Sequence, residues 1–201
     1  MAKVIASGAS SDVLDLCDGR VLKAFRRISY TDAPVREWRD HEVLTRAVFH
    51  NETVAYEKLQ QHPDLCVYGP EYFGRLDPVE IGLAAGFPVE RYVAGCGILL
   101  ERIAGVATKI AHLPLALRDK AELVLEEIRD RIAPGNVWDC SCFVPGSRAQ
   151  FTFIDFALWE KLGHFSAHLA VNSRLDEAQR RHIAQFIADG VPIPGLTFGS
   201  S

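Results

Sequence analysis

The sequence predicts an α+β fold, with a sheet-rich first half and a helix-rich second half, and three observations carry that expectation. The opening VIASGASSDVLDLCDGRVLKAF alternates apolar and polar residues on either side of Asp18-Gly19, the pattern of a β-hairpin whose two turn positions take positive φ. Residues 32–61 switch to helical spacing, with Val43, Leu44, Ala47, Val48, Val54, Ala55 and Leu59 three and four apart, which one or two helices satisfy. Residues 113–131 repeat that spacing before Pro134-Gly135 stops it.

The remaining segments follow in order. LCVYGPEYFGRLDPVEIGLAAGFPVERYVAGCGILLERIAG is rich in aromatic and β-branched residues and glycine, punctuated by Pro70, Pro78 and Pro88, and reads as short strands. FTFIDFALW reads as a buried strand. SRLDEAQRRHIAQFIADG reads as a closing amphipathic helix, with Ser173 or Asp176 as its cap and Gly190 after its end.

Composition narrows the function classes. The chain has 201 residues, 48% of them hydrophobic, enough to bury a core in one domain or two small lobes. A formal net charge of −4 gives no basic excess, so neither nucleic acid nor an anionic membrane is expected as a partner. Five irregularly spaced cysteines without a basic and apolar leader point to a reducing, cytoplasmic setting rather than a secreted disulfide framework. The apolar runs fall well short of the roughly 20 residues a membrane helix needs.

Phosphoryl transfer requires a backbone lid over phosphates, a lysine on them, a carboxylate holding the lysine, and oxygen ligands for magnesium. Candidates occur in that order. The glycine-containing turn SGASSDV spans residues 7–13, and Lys23 lies in VLKAF. Glu52 begins ETVAYEKLQQHPDL, and LLERI, residues 99–103, could supply an edge strand and hinge for adenine. Asn136 in APGNV and Asp155 in FIDFA complete a magnesium pair. Glu52 is preferred to Glu57 as the partner of Lys23 on its spacing to Leu59 and His62-Pro63; the two glutamates lie on different helix faces, so only one points inward.

As an ordered series, these segments resemble the protein-kinase-like superfamily, including its aminoglycoside and choline kinase branch, over roughly residues 4–160. The resemblance implies one minimal bilobal domain. Residues 1–102 would form an N-lobe of five strands with one main helix, and residues 103–201 a reduced helical C-lobe. It further implies ATP and Mg2+ as cofactors. Gly8, Ser10, Ser11 and Val13 would cover the nucleotide, and Leu100, Glu101 and Ile103 would line its adenine side. Lys23 would contact the α- and β-phosphates with Glu52 as its partner, and Asn136 and Asp155 would hold the metal.

The pattern breaks at the base. The family places a catalytic aspartate ahead of the Pro-x-Asn segment, where it orients and deprotonates an acceptor hydroxyl. Here LVLEEIRDR runs straight into IAPGNVW. In one alignment Arg131 stands in the aspartate's place, the mark of an inactive pseudokinase acting as nucleotide-binding scaffold. In the other, which we favour, the residues bearing the aspartate are deleted; in either, a slip of one residue would bring Asp130 in as a surrogate. After Asp155 the triplet reads Asp155-Phe156-Ala157, without the hinge glycine, and no peptide-substrate platform follows. A small-molecule acceptor or an unusual protein acceptor suits such a C-lobe. Cys140-x-Cys142 lacks a second ligand pair for zinc, and the His164 and His168 pair lacks the HExxH glutamate.

Overall fold

A computed structural model describes residues 2–8, 10–26, 38–86, 89–132 and 140–156. The fold is α+β. Strands β1 (Lys3–Ser7), β2 (Ser11–Asp15), β3 (Arg20–Arg26), β4 (Tyr72–Arg75) and β5 (Tyr92–Glu101) form one antiparallel sheet in the order β1-β2-β3-β5-β4. Helix α1 (Trp38–Gln60) and helix α2 (Pro78–Ala85) pack on its two faces.

The period-two alternation of β3 explains both faces. Val21 and Phe25 point into the main core with Val48, Phe49, Ala55 and Tyr56 of α1. Leu22 and Ala24 point the other way, into a smaller cluster with Leu14 and Tyr92 against which Leu76 and Ile81 pack. Lys23 shares the parity of Val21 and Phe25, so its side chain heads toward α1.

The expected turn at Asp18-Gly19 is corrected in detail. Positive φ falls on Cys17 (63°) and Gly19 (86°), not on Asp18. The loop is longer than two residues, closed by Leu16 N–H donating to the Arg20 carbonyl at 3.1 Å. Asp18 accepts the Arg20 N–H through its carboxylate at 3.1 Å, an Asx-type turn that leaves its own backbone unstrained.

Residues 38–60 form a single helix, one of the two arrangements expected, and Glu52 sits well inside it. One expectation changes: PVEIGLAA, expected within a run of strands, is helix α2. Its punctuation is helical: Pro78 takes the first position, the Asp77 carboxylate accepts the Val79 N–H at 2.9 Å, and Gly86 follows with φ +74°.

A second, three-stranded sheet joins β6 (Thr108–Lys109), β7 (Ser141–Phe143) and β8 (Thr152–Ile154) in that order. Helix α3 (Leu115–Ile132) faces it with Ala121, Leu125, Ile128 and Ile132, a spacing of four, three and four. The main core runs unbroken from Val21 and Phe25 to Ile128, Phe151, Phe153 and Phe156. The closing helix expected over residues 173–190 lies outside the described residues. Among the described residues no helix is long and apolar enough to cross a membrane.

Candidate functional site

Three elements converge on Lys23. Its Nζ donates to Glu52 Oε1 at 2.7 Å and Oε2 at 2.8 Å, and to Asp155 Oδ1 at 2.7 Å. β3 supplies the lysine, α1 the glutamate and the chain leaving β8 the aspartate. Glu52 lies on the apolar stripe of α1 with Val48, Ala55, Tyr56 and Leu59, and its side chain is 0% exposed. A carboxylate there is costly without a cation. Since apolar residues of similar volume often stabilise a core at least as well as a buried ion pair, such a pair marks a candidate functional site more than a stability device.

Asp155 differs from Glu52 in exposure and in backbone. Its side chain is 41% exposed, and its φ of 64° puts it in the left-handed region that few residues other than Gly, Asn and Asp adopt. Backbone strain of this kind collects at functional positions. Its carbonyl oxygen lies 3.8 Å from the Cys140 Sγ, which donates to it. The next residue, Phe156, packs edge-on against Tyr56 at 5.2 Å between centroids, so the turn after β8 grips α1 one helical turn beyond Glu52.

Electrostatics separates the two carboxylates. Burial alone would lower the Lys23 pKa, yet the charges of Asp155 and Glu52 outweigh it and hold the ammonium well above its ordinary value. Burial raises the Glu52 carboxyl despite the pull of Lys23. For Asp155 burial pushes upward too, but Lys23 prevails and the carboxyl lies below its ordinary value. Asp155 is therefore the more firmly ionised of the two. Tyr56 is buried, with burial foremost and the Glu52 charge next in raising its pKa, its hydroxyl lying near that carboxylate.

The turn at residues 8–11 is tight. Gly8 N–H donates to the Ser11 carbonyl at 2.8 Å, Arg26 N–H donates to the Ser10 carbonyl at 2.9 Å, and the Arg26 guanidinium also reaches the Gly8 carbonyl. Gly8 takes an ordinary φ, so its backbone requires no glycine. Asp12, fully buried on the opposite face from Lys23, accepts from Ser7 Oγ at 2.7 Å and Tyr92 Oη at 3.0 Å and pairs with Arg91 at 2.6 Å. Val13 stands directly across from Lys23 in the ladder.

Leu100 is buried in β5, paired to Val21 and Tyr72. Glu101 ends the strand, and its side chain works as a clasp: Oε2 accepts from Glu71 N–H at 3.1 Å and from Ser147 Oγ at 3.3 Å. Arg148, beside Ser147, donates to the Cys66 and Gly69 carbonyls at 3.0 and 2.7 Å. Ile103 follows at half burial.

Asp130 is an exposed residue in the last turn of α3 and is not among the groups that meet Lys23. Arg131 pairs with Asp64 and Glu127, tying α3 to the turn that follows α1. Asn136 lies outside the described residues. Tyr56, Ser141 and Lys109 were not singled out from the sequence, and Cys140 was weighed there only as a zinc ligand. Ser141 pairs with Ile154 across β7 and β8 and with Lys109 across β6, which brings both to the side of Asp155. Strands of two and three residues carry too little periodicity to announce that register.

The residues can be tested against a magnesium nucleotide. Asp155 Oδ1 is engaged by Lys23, while the other oxygen of this half-exposed carboxylate makes no hydrogen bond among the described residues. No group of three His, Cys, Asp or Glu side chains stands together among the described residues. The Asp155 carboxylate is a ligand of the kind Mg2+ accepts, since that ion commonly takes one or two carboxylates and completes its shell with phosphate and water. A cavity of about 580 Å³ opens between α3 and the 110–112 turn, with Lys109 and Cys140 on its wall. No protein-family model, curated protein or solved structure matches this chain.

Proposed function

We propose that this chain is a cytoplasmic nucleotide-binding protein of minimal bilobal kinase-like architecture, taking ATP with Mg2+ at Lys23, Glu52 and Asp155. The observation that carries the reading is the meeting of one buried lysine with a buried glutamate 29 residues away and a half-exposed aspartate 132 residues away. Glu52 orients Lys23 toward phosphate, and Asp155 offers an oxygen to the metal that accompanies it; the metal supplies charge neutralisation between phosphates. The sheet order, with β5 between β3 and β4, supports a β-rich N-lobe over residues 1–102; a reduced C-lobe would take residues 103–201. The cavity beside Lys109 and Cys140 would take a small-molecule acceptor.

Transfer to a hydroxyl also needs a base in reach of the acceptor. Asp130 is exposed on α3 and Arg131 is engaged by Asp64 and Glu127. These placements favour a second reading, in which the chain binds nucleotide without transferring phosphate and serves as a scaffold.

Thermal unfolding with and without Mg·ATP tests the binding. Ligand at about 100 times its dissociation constant adds about 2.7 kcal/mol, and an unshifted transition would refute the reading. Release or transfer of the γ-phosphate by the wild type, lost in Lys23→Met, would exclude the scaffold reading.

A further inference from the structure

The ammonium of Lys23 has three N–H donors, and three oxygens accept from it: both of Glu52 and one of Asp155. A phosphate oxygen can hydrogen-bond to Lys23 only if one of them leaves. The two carboxylates differ in freedom to do so. Glu52 is enclosed among the apolar residues of α1 and cannot swing away without opening the core. Asp155 stands at the end of β8 with its side chain 41% exposed, and can turn outward. The closed Asp155 carboxylate also offsets the positive charge of Lys23 and of nearby Lys109, so a bare polyphosphate is drawn less strongly while it is in place.

We infer that Asp155 is a latch on Lys23, closing the lysine to free polyphosphate and releasing it when a divalent cation carried by the incoming phosphates captures the Asp155 carboxylate. The site then distinguishes a metal–polyphosphate complex from the bare anion. The inference rests on the nucleotide reading of this site and adds its selectivity. Charge alone decides the exchange: the cation offers Asp155 more than Lys23 does, and the phosphate then replaces Asp155 on Lys23.

Asp155→Asn is the informative variant. Asparagine tolerates the left-handed backbone at φ 64°, Glu52 still holds Lys23, and only the competing charge is removed. Binding of ATP and of inorganic tripolyphosphate is measured by titration calorimetry, in EDTA and in excess Mg2+, for the wild type, Asp155→Asn and Lys23→Met. In EDTA, Asp155→Asn should bind both anions about ten- to a hundredfold more tightly than the wild type, the value of one charged hydrogen bond. Mg2+ should tighten the wild type strongly and the variant little, and Lys23→Met should abolish binding throughout. If Asp155→Asn gains no affinity in EDTA, the latch is overturned, while wild-type binding of Mg·ATP would still uphold the nucleotide reading. If the wild type ignores Mg·ATP but binds tripolyphosphate in Mg2+, and Asp155→Asn binds tripolyphosphate in EDTA, the nucleotide reading falls and the latch stands.

Discussion

Lys23 and Glu52 meet through both oxygens of the carboxylate, at 2.7 and 2.8 Å, although 29 residues and a change of secondary structure separate them. The contact joins the middle of the sheet to the buried stripe of α1, so its loss should affect more than a local hydrogen bond. Glu52→Ala is expected to cost about 3–5 kcal/mol, because it leaves a buried ammonium short of its partner. Glu57→Ala, five residues on, removes a half-exposed ion pair with Arg75 and should cost no more than about 1 kcal/mol. Urea unfolding of both variants checks the contrast, and equal costs would mean that the buried pair does not hold in solution.

The acid limb of stability should carry the signature of Asp155. Lys23 overcomes burial and holds this carboxyl below its ordinary 3.8, so between the two values the unfolded chain binds more protons. The stabilisation is present above pH 3.8 and is lost as pH falls through the folded pKa. Glu52 has the opposite sign: burial raises it above 4.5, so stability falls as pH rises from 4.5 through its folded pKa. The urea midpoint of Asp155→Asn should therefore depend less on pH below 3.8 than that of the wild type, and parallel acid limbs would contradict this.

Glycine is dispensable in the first turn and required in β5. At Gly8 an added Cβ would meet nothing nearer than the Ser11 carbonyl at 3.7 Å, so Gly8→Ala should change stability by less than about 1 kcal/mol. At Gly97 the same atom would lie 2.3 Å from the Leu76 carbonyl, a backbone group that cannot step aside, and Gly97→Ala should cost about 1–3 kcal/mol or more. Thermal melts rank the two, and a reversed order would refute the packing described around β4 and β5.

Arg148 fastens the β7–β8 turn to the turn after α1 through two backbone carbonyls. Arg148→Ala should lower amide exchange protection across Thr152–Ile154 while leaving β3 protected. Unchanged protection in β8 would show that the fastening does not act on it.

Legibility in the sequence followed the length of each pattern. Lys23 stands in a seven-residue strand and Glu52 on a helical stripe, patterns long enough for each element to be read and, for Glu52, for the inward face to be chosen. The choice between Glu52 and Glu57 was legible for the same reason. α2 was misread as strand because its eight residues, Glu80 apart, are apolar or glycine and too few to show a helical period, although Asp77, Pro78 and Gly86 announced a capped helix. β6 and β7 were invisible at two and three residues, and with them the approach of Lys109, Cys140 and Ser141 to Asp155. The side chain of Glu101 was overlooked as a clasp, since its partners Glu71 and Ser147 lie 30 and 46 residues away.

The apolar cluster that unites Val21 and Phe25 with Ile128 and Phe153 makes the chain hard to divide. A fragment ending at residue 102 would keep all five strands of the first sheet yet bare the aromatic underside of α1, where Tyr56 otherwise meets Phe156. Cutting there yields a sticky half rather than a module. The unit that evolution or an engineer can move to a new setting includes both sheets.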